Sequence, residues 1–199
     1  MKNPKKLASL ALAPLLLAAA CATSSGSPEI RRTPQELFNA AESAQQHGDE
    51  GWLELFERSA AEGFSPAFKR LAEIYLHGQG VEVDNSKAVQ WLARSAEIGD
   101  LESRYNLGVM HYFGRGTPKD SAAAAECWRI AGERGYAAAQ TNLGAICILG
   151  DGVKLDMAEG ARWFKRAADS GDSTGQMKYA LALMNGYGVE QDKFEAVRW

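Results

Sequence analysis

Between Ser65 and Gly99 the apolar residues fall at three- and four-residue steps. Ala67, Leu71, Ile74 and Tyr75 line one face of a helix that Ser65-Pro66 opens and Gly78 stops. The stretch Gly78-Gln79-Gly80-Val81-Glu82-Val83 makes a turn whose two glycines supply backbone conformations costly to other residues. Asp84 stands where its carboxylate caps a second helix, which carries Ala88, Trp91, Leu92 and Ala96 and ends at Gly99. The plan then recurs every 36 residues, in blocks 65–100, 101–136, 137–172 and an incomplete 173–199. Gly78, Gly114, Gly150 and Gly186 keep this step, and so do Gly80, Gly116, Gly152 and Gly188. Asp84, Asp120, Asp156 and Asp192 keep it too. A fixed period of this size predicts an all-α solenoid of helix hairpins.

Residues 34–64 fall outside that register. Thr33-Pro34 opens a helical pattern to about Gln46, His47-Gly48-Asp49 breaks it, and Trp52, Leu53, Phe56 and Ala60 return to helical steps before Gly63. This reads as a degenerate first hairpin with a shortened loop, the cap that a solenoid needs. Upstream, Lys2, Lys5 and Lys6 precede the apolar run Leu7 to Ala20, so residues 1–20 read as a secretory signal. The ending Leu17-Ala18-Ala19-Ala20-Cys21 resembles a bacterial lipoprotein cleavage box, in which Cys21 becomes the acylated first residue. The alternative is an ordinary cut near Ala20 with Cys21 incidental. Ala22, rather than Asp, after the Cys resembles the pattern sorted to the outer membrane. Residues 21–33, small and polar at first, read as a flexible tether.

Composition narrows the class. With 46% hydrophobic and 24% charged residues the chain has the balance of a soluble globular protein, and its three cysteines exclude a disulfide-built scaffold. Without residues 1–20, which hold three Lys and no acid, the charge falls from −3 to −6 (19 basic against 25 acidic side chains). Such a balance argues against nucleic acid, whose phosphates demand clustered Lys and Arg.

The run Tyr105-Asn106-Leu107-Gly108-x-x-His111-x-x-Gly114-x-Gly116, together with Gly78-x-Gly80-Val81-x-x-Asp84-x-x-Lys87-Ala88-x-x-Trp91, resembles the Sel-one-like repeat, a relative of the tetratricopeptide repeat. The resemblance covers residues 65–199. It implies a right-handed superhelix of antiparallel helix pairs that works by protein–protein interaction. The chain departs from the pattern at Cys127, which takes the place of a tryptophan while Trp128 follows one residue later. His111, Cys147 and Leu183 replace the equivalent of Tyr75, so irregular packing is expected there. Cysteine-rich members of the family are associated with β-lactam hydrolysis or penicillin binding and carry a regular Cys pair per repeat. Here only Cys127 and Cys147 lie within the repeats, and they are either a disulfide between adjacent hairpins or two buried free thiols.

Other chemistry is sparse. No Gly-Lys-Ser/Thr follows the glycine pairs, His47, His77 and His111 are scattered, and no Gly-x-Ser-x-Gly occurs, so the reading assigns no catalytic residue, metal or cofactor. Trp91, Trp163 and Trp199 recur as expected core residues. The face of each first helix opposite Leu71, about 140 to 200 degrees away, is informative. It holds Lys69, Glu73 and Leu76 in the first block, then Tyr105, Val109 and Tyr112, then Thr141, Ala145 and Ile148, then Met177, Leu181 and Met184. A side that water should cover turns apolar along the array. Tyr105, Val109, Tyr112, Ile148, Met177, Leu181 and Met184 are therefore candidate contacts for a partner, unless adjacent first helices cover them. The resulting expectation is a lipid-anchored scaffold on the periplasmic side of the outer membrane, or a secreted periplasmic one, that binds another envelope protein or peptide. A periplasmic β-lactamase-like or peptidoglycan-related hydrolase is the competing reading. The 36-residue step would also carry the fourth block to position 208, so the chain is expected to continue past Trp199.

Overall fold

The computed structural model describes residues 32–199. The expected signal segment, Cys21 and the expected tether as far as residue 31 lie outside the described residues. Those described contain ten helices and no strand: α1 (Pro34–His47), α2 (Trp52–Ala61), α3 (Ser65–His77), α4 (Asn85–Glu97), α5 (Leu101–Phe113), α6 (Ser121–Glu133), α7 (Ala137–Leu149), α8 (Met157–Asp169), α9 (Ser173–Asn185) and α10 (Lys193–Ala196). Consecutive helices pack on one another, and α9 also touches α7 across one hairpin. The result is a solenoid of helix hairpins.

Capping follows the aspartates. Asp84, Asp120 and Asp156 accept from the backbone N–H groups of Lys87, Ala123 and Glu159 at 3.0, 2.9 and 2.8 Å, and Asp192 accepts from Phe194 and Glu195. Asp100 and Asp172 do the same for α5 and α9. At the first helix, Thr33 and Glu36 form a reciprocal capping box, and the hydrogen bond from the Thr33 backbone holds the Glu36 carboxyl below its ordinary value. The α1–α2 loop is short, with Gly48 and Gly51 both at positive φ.

The paired glycines have different tasks. The first of each pair ends a helix in the left-handed conformation, as Gly78 does at φ 65°. The second also has positive φ, but its surroundings matter as much. A Cβ on Gly116 would run into the backbone of Asn85 and Ser86, one on Gly152 into Ser121 and Ala122, and one on Gly188 into Met157 and Ala158. Each second glycine therefore lets a turn seat itself on the start of the second helix in the preceding hairpin. At Gly80 the neighbour is the Trp52 ring, 2.8 Å from where a Cβ would be.

Inside the hairpins one pair of positions changes in concert. Ala72 faces the α4 cluster with Leu92, whereas Gly108 lies under Trp128 and Gly144 under Phe164. A smaller residue on the first helix admits a larger ring from the second. This explains the irregularity around Cys127: the inward ring is Trp128, buried and donating from Nε1 to the Tyr105 carbonyl at 3.2 Å. Of the three tryptophans expected in the core, Trp163 is buried. Trp91 is half-buried, stacked on Phe68, and Trp199 is half-buried with its ring edge on Tyr179.

Both repeat cysteines are free and buried, so the bridge left open by the sequence is not formed. They belong to different packing clusters. Cys127 sits with Leu92, Leu107 and Met110, and Cys147 sits with Leu143, Trp128 and Trp163. Burial raises the Cys127 thiol and pushes that of Cys147 up to about 11, so both behave as small apolar side chains.

Candidate partner-binding groove

The first helices of the hairpins, α3, α5, α7 and α9, lie in series, and a cleft opens between each adjacent pair. The α3–α5 cleft, about 300 Å³, is polar. Lys69 pairs with Glu102, a hydrogen bond that raises the Lys69 ammonium above its ordinary value. Beside it Arg70 donates to Gln79 at 2.9 Å and to Gln45 at 2.8 Å, and pairs with Glu73.

The α5–α7 cleft, about 310 Å³, is walled by aromatic and aliphatic groups: Tyr105, Val109, Tyr112, Phe113, Trp128, Ala145, Ile146 and Leu149, with Asn142. The α7–α9 cleft, about 270 Å³, continues from it through the shared Ala145 and Leu149 to Ile148, Phe164, Leu181, Ala182 and Tyr187, with Lys178. Polarity thus falls along the array.

The residues expected from sequence separate into two groups. Tyr105, Val109, Tyr112 and Ile148 are half-buried. Tyr105 leans on Tyr136 at 5.3 Å and Tyr112 on Trp128 at 5.5 Å, while Val109 and Ile148 pack against the clusters beneath them. Thr141, on the same face, is buried and donates to Asp172 at 2.9 Å. Met177, Leu181 and Met184 are exposed, and of these three Leu181 lines a cleft. Adjacent hairpins therefore cover the middle of the strip, and its far end stays open.

Sequence reasoning missed three groups. Phe113 is 59% exposed, Leu149 67% and Tyr187 48%, and each lines a cleft. The reading took one angle, opposite Leu71, whereas the cleft walls also use the last residue before the helix-stopping glycine. That residue leans toward the next hairpin. The signal was present in the register, where His77, Phe113, Leu149 and Asn185 hold the same block position. Tyr187 stands between the two glycines of the last pair. Among the described residues no three His, Cys, Asp or Glu side chains converge as a metal site would require.

Hairpins stacked in one direction, with a grooved face along their first helices, define an α/α solenoid. The chain belongs to the Sel1 repeat family, whose profile matches residues 69–100, 101–136, 137–172 and 173–199. Among solved structures it is similar to a protective antigen of uropathogenic Escherichia coli that displays an SLR fold. The identity is 28% and the TM-score 0.75, over 82% of this chain and 36% of that one. It is also similar to a Sel1 repeat protein from Oxalobacter formigenes, at 25% identity and a TM-score of 0.71, over 87% of this chain and 73% of the other. The chain thus spans little more than a third of the length of the Escherichia coli antigen. No curated protein matches it significantly.

Proposed function

We propose that this protein is an extracytoplasmic binding scaffold, held by an acylated Cys21 on the periplasmic side of a bacterial outer membrane, whose grooved face takes another envelope protein or peptide. One observation carries the reading. Two adjoining apolar clefts, between α5 and α7 and between α7 and α9, leave Phe113, Leu149 and Leu181 more than half exposed. Large apolar side chains gathered on one face of a domain mark a contact surface, because covering the exposed part of each stabilises the complex by about 1 to 2 kcal/mol. The family profile and the SLR neighbours support a protein-binding scaffold. The anchor and location rest on residues 1–22.

Photo-crosslinking in cells tests the surface. A photoreactive residue at Leu181 is expected to trap a discrete partner, and one at the exposed Glu126 on α6 is not. Equal adducts at both positions, or adducts at 126 alone, would place the interface elsewhere. For the anchor, metabolic labelling with a fatty-acid analogue is expected to mark the wild type and not Cys21→Ser. Equal labelling would show that Cys21 is not the acylated residue.

A further inference from the structure

The charges around the clefts are distributed unevenly. In the polar α3–α5 cleft the lining Lys69 is paired with Glu102, and Arg70 beside the cleft is paired with Glu73, which lines it. Along the two apolar clefts the pattern reverses. The Arg115 guanidinium lies 5.3 Å from the centre of the Phe113 ring, the Lys119 ammonium lies 5.6 Å from that of Tyr112, and Lys178 lines the α7–α9 cleft. Among the described residues none of the three has a carboxylate within 4.0 Å. Neither apolar cleft is lined by an acid. Asp172, beside Thr141 on this side of α9, already accepts from Thr141 and from the Gly175 backbone.

A protein with more acidic than basic groups has thus placed three unpaired cations beside two adjoining apolar clefts. Cations held there favour a ligand of opposite charge and penalise one of like charge. We infer that the α5–α9 stretch binds an acidic peptide segment of a protein partner, with apolar anchors in the two clefts and Asp or Glu beside them. This deepens the scaffold reading and rests on it. The clefts belong to successive hairpins, whose first helices are about 10 Å apart. Two anchors can bridge that distance when three residues apart in an extended segment, at about 3.3 Å per residue.

Phage-displayed random dodecapeptides panned on the full-length chain carrying Cys21→Ser test the inference. The selected pool is expected to hold paired Leu, Phe or Met and about threefold more Asp and Glu than the starting library, with Lys and Arg depleted. Joint replacement Arg115→Glu, Lys119→Glu and Lys178→Glu is expected to weaken a selected peptide about tenfold or more while leaving helical circular dichroism unchanged. An enriched pool that is neutral or basic would overturn the acidic partner and leave the scaffold reading standing. A pool with no enrichment at all would overturn both. Flotation with phosphatidylglycerol vesicles supplies the remaining arm. If the chain carrying Cys21→Ser floats and the same chain with the triple replacement does not, the cations serve a membrane surface, and the peptide inference is wrong.

Discussion

Gly108→Ala is a severe test of how these hairpins pack. The new Cβ would lie 2.6 Å from Trp128 Nε1 and 2.8 Å from its Cδ1, with Cys127 Cβ at 3.1 Å. Those ring atoms cannot swing aside cheaply, because Trp128 is buried and its Nε1 is tied to the Tyr105 carbonyl. In an open helix the same change would stabilise by roughly 0.8 to 1 kcal/mol through propensity. Overpacking a filled core costs about 1 to 3 kcal/mol, so the net expectation is a loss of about 0 to 2 kcal/mol. Trp128→Leu alone empties part of the site and is expected to cost about 2 to 4 kcal/mol, in the range of large-to-small core changes. The double variant recreates the Ala72 and Leu92 pairing of the preceding hairpin. It should therefore be more stable than the sum of the single losses by about 1 to 2 kcal/mol. Urea unfolding followed by circular dichroism and by tryptophan fluorescence measures all four proteins. Gly108→Ala more stable than wild type, or a cycle additive within about 0.5 kcal/mol, would refute the concerted-size argument.

On the groove, Leu149→Asp with Leu181→Asp is expected to abolish partner recovery while changing stability by no more than about 0.5 kcal/mol per site. Val109→Asp, by contrast, should destabilise the fold, since Val109 is half-buried against the α6–α7 cluster; equal melting temperatures for the two variants would contradict that placement. With Cys21→Ser in place, Cys127 and Cys147 should react with a thiol reagent at pH 8 only slowly until the chain is unfolded, because burial raises both thiols and that of Cys147, pushed up to about 11, is ionised about one part in a thousand there. Fast modification of the native protein would show that these sites open. Glu159 accepts from Trp163 Nε1 at 3.2 Å and from Arg129 at 3.1 Å, and both hold its carboxyl below the ordinary 4.5. Its contribution is present above that value and is lost as pH falls through the lowered one. Glu159→Gln is therefore expected to shrink the stability loss between about pH 5 and pH 3, and an unchanged acid limb in urea midpoints would count against the contact.

The hairpin repeat was legible because its signals are local. A glycine after a helix, an aspartate before the next and apolar residues at helical steps each have a physical effect within a few residues, and all agree in register. The groove was only partly legible because it is made between hairpins. Whether Val109 or Leu181 meets water depends on which neighbour leans over it, and no periodicity within α5 or α9 records that. The middle of the array is closed by Tyr136, Trp128 and the Thr141–Asp172 hydrogen bond, contacts made between one hairpin or helix and the next. The same limit applied to Cys127 and Cys147. Their blocks are adjacent, but the side-chain directions that separate them are set by packing.

The second glycine of the last three pairs, Gly116, Gly152 and Gly188, lets the backbone of one unit rest directly on the backbone of the unit before it. Distances set by main chain on main chain do not depend on which side chains occupy the faces. The pitch of the array can therefore stay constant while the surface chemistry changes, from paired ions at α3 to bare aliphatic groups at α9. Variation can rewrite what the groove prefers, one rung at a time, without moving the rungs.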